Sequence, residues 1–179
     1  MDLLNYKEKS VDKSEVISVI KDAIPGALLN VTAFGNSGQT CLWVEAKSIR
    51  KVAEILKAHP KTQMTWLENI SAMEVEQSLV LNYFIMNHPA QSAVVLRVSL
   101  LPTSPDAWVQ IDSVTPVWKM AEFFELESSR LFGIRFKGLR ASSIDPLPID
   151  WVGFPLRKSY VYPQEYSGIT HERRRAETR

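Results

Sequence analysis

Residues 78–100 decide the fold: SLVLNYFIM over 78–86, HPAQ over 88–91 and AVVLRVSL over 93–100. Both outer runs are rich in β-branched, aromatic and leucine side chains, which fit a pleated, buried surface. The intervening His88-Pro89-Ala90-Gln91 is short enough to serve as a hairpin connection. Two further strands are predicted on either side, Met64 to Ile70 and Trp108 to Val114, the second set off by turn residues from Pro102 to Asp106. Consecutive strands with short connections make an antiparallel or mixed sheet rather than a βαβ parallel series.

Toward the N-terminus the period changes. Asp12, with Glu15 three residues on, is an acidic variant of a capping box. Val16, Ile20, Ala23 and Ile24 then share one helical face until Pro25-Gly26 stops it. Short strands are expected over Ala27 to Phe34 and Thr40 to Glu45, joined by the turn Gly35-Asn36-Ser37-Gly38. A second helix starts near Ser48, turns Ile49, Val52, Ala53 and Leu56 inward, and ends before Pro60. Toward the C-terminus, Thr115-Pro116 has the form of an N-cap followed by proline at the first helical position, and Phe132-Gly133 the form of a helix end. The expected fold class is α+β: a mixed, mostly antiparallel sheet packed with about three helices over residues 1–138, followed by an extended irregular arm over 139–179. That arm carries Pro146, Pro148, Pro155 and Pro163, yet Trp151, Phe154, Tyr160, Tyr162 and Tyr166 make it too aromatic for a free linker. It either wraps its own domain or anchors on a partner, since aromatic side chains are favoured interface anchors.

A chain of 179 residues with net charge +1 is long enough for one core, and its charge balance gives no reason to expect nucleic acid or an anionic membrane as partner. The basic cluster His171-Glu172-Arg173-Arg174-Arg175 reads as a solvated tail. A single cysteine, Cys41, allows no intrachain disulfide and favours a cytoplasmic setting. Early charges at Asp2, Lys7, Glu8 and Lys9 leave no room for an apolar leader, and no apolar run nears the roughly 20 residues of a membrane span.

Signals of chemistry are weak. His59 and His88 each precede a proline at an element boundary, His171 lies in the charged tail, and none has a neighbour at metal-ligand spacing. Cys41 alternates beside Trp43 as a buried structural thiol would. No phosphate-binding loop, dinucleotide fingerprint or nucleophile elbow occurs. Glu122, Glu125 and Glu127 read as a hydrated helical face rather than as an acid–base set. No residue is assigned to catalysis, cofactor binding or metal binding.

One part of the chain does match a pattern. Asp112-Ser113-Val114-Thr115-Pro116-Val117-Trp118, followed by Ala121, Phe124-Glu125, Glu127 and Phe132-Gly133-Ile134, resembles the signature of the C-type subunits of NADH:quinone oxidoreductase, the 30 kDa subunit family of respiratory complex I. Downstream, Asp150-Trp151, Gly153, Pro155-Leu156-Arg157-Lys158 and Tyr160 resemble the family's second block. The chain departs from the pattern at Leu126, where the family has arginine, at Ser129-Arg130, where it has tyrosine–aspartate, and at Ser159, where it has aspartate. Leu139 to Asp145 replace a His-Pro-Asp-Leu-Arg-Arg stretch. The resemblance thus identifies a divergent member.

The resemblance implies a non-catalytic peripheral-arm subunit that helps assemble the complex with the D-type and B-type subunits, for electron transfer to quinone coupled to ion translocation. It further implies that NADH, FMN, iron–sulfur clusters and quinone belong to other subunits. Trp118, Glu125, Glu127, Phe132, Gly133, Ile134, Trp151, Gly153, Pro155, Arg157 and Lys158 are then structural or interface residues, with Arg157-Lys158 turned to a partner's carboxylates. The implied location is the inner face of the cell membrane, or the matrix side in a mitochondrion, reached only through the complex. An equivalent subunit of a membrane-bound hydrogenase-type complex shares these motifs. From another class, a stand-alone small-molecule binding domain or enzyme would need a concave pocket lined with polar groups.

Overall fold

The computed structural model describes residues 12–36, 38–140 and 145–170. Strand pairing begins where the sequence is most apolar. Strand β3 (Trp66–Val75) turns at Glu76-Gln77 into β4 (Ser78–Asn87), which pairs antiparallel with β5 (Ser92–Leu100). Strands β1 (Leu28–Phe34) and β2 (Gln39–Val44) form another antiparallel pair, and β2 joins β5 in parallel, Thr40 opposite Val94 and Trp43 opposite Arg97. The order β1-β2-β5-β4-β3 is the mixed, mostly antiparallel sheet expected from the sequence. Strand β3 runs five residues beyond the predicted Ile70. Its pairing with β4 continues to Val75 opposite Ser78, because the two-residue turn sets a register that carries polar positions along with it.

Helix α1 (Lys13–Ala23) is capped by Asp12, although the side chain accepts from the Ser14 backbone N–H at 3.1 Å rather than from Glu15. Helix α2 (Ile49–Ala58) follows a single 3-10 turn and buries Ile49, Val52, Ala53 and Leu56 as predicted. Both helices feed one core with Leu42, Leu81, Tyr83, Ile85 and Leu96.

Two expectations fail after β5. The strand near Trp108 does not extend the main sheet: β6 (Val109–Asp112) pairs in parallel with β7 (Ile134–Lys137), a strand not expected from the sequence, and α3 (Ala121–Phe132) crosses between them. The result is a small βαβ unit beside the main sheet, where the sequence places the strand near Trp108 in the same series as β3 to β5. Nor does α3 start at Thr115-Pro116. Residues 115–120 form turns, and the helix begins at Ala121 without a side-chain cap. Tertiary bonds override the local signal here. The Trp118 indole N–H donates to the Met64 carbonyl at 3.1 Å, the Lys57 ammonium to the Val117 carbonyl, and the Ser113 hydroxyl oxygen accepts from the Thr115 N–H. The predicted end of α3 does hold: Gly133 sits in the left-handed region at φ 70°.

Candidate functional site

The arm after Gly138 returns to the body of the molecule. The connecting residues 141–144 lie outside the described residues, as does the basic cluster at 171–175. From Asp145 the chain is nearly without regular structure, apart from a minimal hairpin of β8 (Glu165–Tyr166) and β9 (Ile169–Thr170). It is nevertheless firmly held, and Arg157 is the main reason. The Arg157 guanidinium donates to four backbone carbonyls: Phe132 at 2.7 Å, Ala107 at 2.7 Å, Gly133 at 3.5 Å, and Pro105. Its side chain is buried, and that burial pushes its pKa down, opposed by the charges of Glu74 and Asp106. The expectation that Arg157 faces a partner's carboxylate is therefore corrected. Its planar fork ties the β5–β6 connection, the end of α3 and the arm into one knot, and a guanidinium is the one side chain with enough fixed donors for this.

Around the knot the motif residues take definite places. The Gly133 Cα faces the Phe154 ring so closely that an added Cβ would lie 2.5 Å from it, and Phe154 packs edge-on to Trp108 at 4.7 Å. Arg135 lies over the outer side of Trp108 at 4.9 Å. Gly153, at φ 85°, likewise leaves room for the Tyr160 ring, where a Cβ would come within 2.7 Å. Trp151 stacks near Tyr160 and Tyr166, and its indole N–H is enclosed without an acceptor among the described residues. Pro155 is buried, whereas the Lys158 side chain stands in solvent while its backbone N–H donates to Glu74 at 2.7 Å.

The first motif block builds the wall behind this knot. Trp118, Phe132 and Ile134 belong to the core, and Glu127 is half-buried on α3. Glu125 overturns the reading of a hydrated acidic face: it is 0% exposed. One carboxyl oxygen accepts from the Val114 N–H at 2.7 Å, and the other has no partner among the described residues. Desolvation raises its pKa to about 7, against the lowering effects of Ser113, the Val114 amide and the Arg50 charge. Its electrostatic neighbour in the core is Tyr83, whose buried hydroxyl also lacks a partner among the described residues and whose pKa is raised by burial and by Glu125. Arg50 does not reach Glu125 for a bond. It donates instead to the Ser113 and Lys137 carbonyls, both at 2.8 Å, and so clamps β6 to β7.

The bonds of Arg157 and of the Lys158 amide hold the arm and its motif residues to the body. Among the described residues no three of His, Cys, Asp and Glu gather as a metal site would require. A cleft of about 450 Å³ lies between arm and body, lined by Glu74, Glu76, Gln77, Pro105, Arg157 and Ser159. Its two best binding groups are already engaged, Arg157 with carbonyls and Glu74 with the Lys158 amide. The outer side of the arm is different in kind. Ile149 is 100%, Val152 83% and Val161 86% exposed, with Leu156, Tyr162 and Ile169 beside them in sequence and at least half exposed. Single exposed apolar side chains are ordinary; here six of them stand at least half exposed between positions 149 and 169. The sequence marks the arm but not Trp108 and Glu74 as its seat, because their role depends on pairings across the fold.

Comparisons with known proteins point the same way. The family model described as respiratory-chain NADH dehydrogenase, 30 kDa subunit, matches residues 42–166. The C subunit of NADH-quinone oxidoreductase from Roseiflexus sp. (strain RS-1) is 27% identical over 164 residues, covering 90% of this chain and 91% of the relative. The NADH-quinone oxidoreductase C/D subunit of Gluconacetobacter diazotrophicus is also 27% identical, over 85% of this chain but only 26% of its own length. Among solved structures, a chain of an archaeal membrane-bound sulfane sulfur reductase aligns with TM-score 0.58 at 19% identity, covering 80% of this chain and 79% of that one. The trypsin-resistant fragment (1-134) of Nqo5 aligns with TM-score 0.50 at 23% identity, covering 71% of this chain and 98% of the fragment. Both likenesses are of fold.

Proposed function

From the premise that this chain belongs to the 30 kDa subunit family of respiratory-chain NADH dehydrogenase, we propose that it is a non-catalytic peripheral-arm subunit whose pinned C-terminal arm clasps a D-type subunit. The observation that carries this reading is the two-sided arm. Its inner side is fixed by Arg157 on backbone carbonyls, and its outer side leaves Ile149, Val152 and Val161 open. A surface held in its binding shape before contact loses less conformational entropy on docking. The existence of a relative named as a C/D subunit, of which this chain matches about a quarter, supports D as the neighbour. A B-type subunit as second neighbour, and a position on the cytoplasmic side of the membrane, belong to the same proposal. Among the described residues no helix is long and apolar enough to cross a membrane, so in this reading other subunits hold the chain there. NADH, FMN, iron–sulfur clusters and quinone are assigned to those subunits.

A native pull-down from membranes tests this, using a tagged full chain and one ended after Gly138. Recovery of D-like and B-like subunits by the full chain alone supports the clasp. Equal recovery by both keeps the subunit role and moves docking to the body. Two soluble, monomeric, partner-free chains would end the reading. The full chain released from its partners should show no flavin or iron–sulfur absorption.

A further inference from the structure

The sheet has a second face that the described helices do not cover. The buried residues of α1, α2 and α3 join the core on the face of Leu42, Leu96 and Tyr83. Side chains alternate along a strand, so the registers define the opposite face row by row. Trp43 stands beside Arg97, which stands beside Asn82, which stands beside Ser71. One row away, Cys41, Val95 and Phe84 lie in line. Phe34, Met86, Val80 and Met73 fall on the same side. The contacts that organise this face run within it: Phe34 is edge-on to Phe84 at 5.2 Å, and Trp43 donates to Thr32 at 3.3 Å. Cys41 and Val95 are fully enclosed beneath these rings.

In the middle is one charge. Arg97 lies 5.1 Å from the ring centroids of both Phe34 and Trp43, and its Nε donates to Asn82 Oδ1 at 2.6 Å. Asn82 in turn is steadied by Ser71 at 3.3 Å. No carboxylate pairs with Arg97 among the described residues. Two aromatic planes and an amide thus fix a guanidinium whose outer nitrogens make no bond within the described chain. Such a preset fork is shaped for two parallel bonds to a carboxylate. Five strands about 4.8 Å apart and about eight residues long give a face of roughly 650 Å², comparable with the ~800 Å² that each partner gives to a standard interface.

We infer that the open face of the five-stranded sheet is a second docking surface, taking an apolar segment of another subunit that carries an aspartate or glutamate to Arg97. This rests on the reading of the chain as a subunit of a larger complex. Charge selects the occupant. A second copy meeting face to face about the centre of the sheet would bring Arg97 against Arg97, the exposed Glu68 lying off-centre at the β3 bulge two strands away, and two uncompensated cations in a dry interface repel. A partner's carboxylate removes that penalty and fixes the register of the contact.

The test places a photo-crosslinking side chain at Met73 or Met86 of the tagged full chain in its native membranes. The complex is irradiated and purified, and the linked peptides are identified. The expected product joins this face to a peptide of another subunit with an acidic residue within a few positions. Arg97→Glu should lower its yield at least tenfold, and exchanging that acidic residue for lysine should restore it. Arg97→Gln gives the same loss without reversed charge if the first variant folds poorly. Products only with lipid, with a second copy, or with residues 1–11 or 171–179 of the same chain overturn the inference, as does no product, while co-purification with the complex leaves the subunit reading intact. Failure of the unmodified tagged chain to co-purify with any other subunit overturns both.

Discussion

At the scale of single residues, Arg157 and Glu125 have opposite electrostatic situations, and each yields a prediction. Arg157 satisfies four carbonyls with one side chain. Hydrogen bonds to a charged group contribute about 1.5–3 kcal/mol each in favourable cases, but they share one entropy cost. Arg157→Met should therefore destabilise the chain by about 2–4 kcal/mol and open the arm to protease. Arg157→Lys should recover little of this, because an ammonium cannot span the acceptors. A protease-resistant arm in Arg157→Met would sink that assignment. Glu125 binds its proton more tightly when folded than unfolded, with a folded pKa of about 7 against an ordinary value of 4.5. Stability from this group is thus greatest below pH 4.5 and declines as pH rises toward and past 7, by at most ~3 kcal/mol. Denaturant melts at pH 5, 6.5 and 8 should show that decline, and Glu125→Gln should flatten it. Equal slopes in the two proteins would mean that Glu125 does not titrate in this range.

The arginine and the glutamate were both visible in the sequence as motif residues, yet their directions were not. Glu125 on an apparent acidic stripe reads as hydrated until Val114 and Tyr83 are seen to enclose it. Trp118 is a similar case. Its indole bond to Met64 spans 54 positions, and no local pattern announces it. Trp118→Phe should cost about 1–3 kcal/mol, since it leaves a buried carbonyl without its donor. A melting temperature unchanged by that substitution would show that the bond contributes nothing.

At the scale of elements, the informative positions are the two glycines that let rings approach backbone. Gly133 ends α3 with positive φ and also leaves space for Phe154; Gly153 turns the arm and leaves space for Tyr160. Alanine at either site meets both backbone strain and a ring at 2.5–2.7 Å. Gly133→Ala should loosen the arm as well as the helix end, which hydrogen exchange at Leu156 and Arg157 would report. Faster exchange confined to α3 would count against the ring contact. The helix end was legible because glycine after a periodic run has a local cause. The helix start was not, because the turn at 115–120 is held by Met64 and Lys57 from distant elements.

At the scale of the whole molecule, the arm is expected to act as a strap whose loss leaves a folded body. A chain ended after Gly138 should still melt cooperatively but several degrees lower, at roughly 2–4 °C per kcal/mol for a chain of this size. It would lose the Phe154 contact on Trp108 and the Arg157 knot. An unchanged melting temperature would mean that the arm is passive until a partner arrives. The full chain, in these two proposals, offers two docking surfaces, one on the arm and one on the open sheet face. A subunit with two such faces is suited to bridging neighbours.

The sequence alone determined the elements whose causes are local: the alternation of β3 to β5, the apolar stripes of α1 and α2, the glycine stop of α3, and the two motif blocks that carry the family resemblance. Tertiary structure alone decided the pairing of β6 with β7, the late start of α3, the inward turn of Arg157 and the burial of Glu125. Each of these turns on bonds or pairings between positions 11 to 60 apart. A long-range contact costs loop-closure entropy and offsets it only when the rest of the fold is in place, so no window of the sequence can show it.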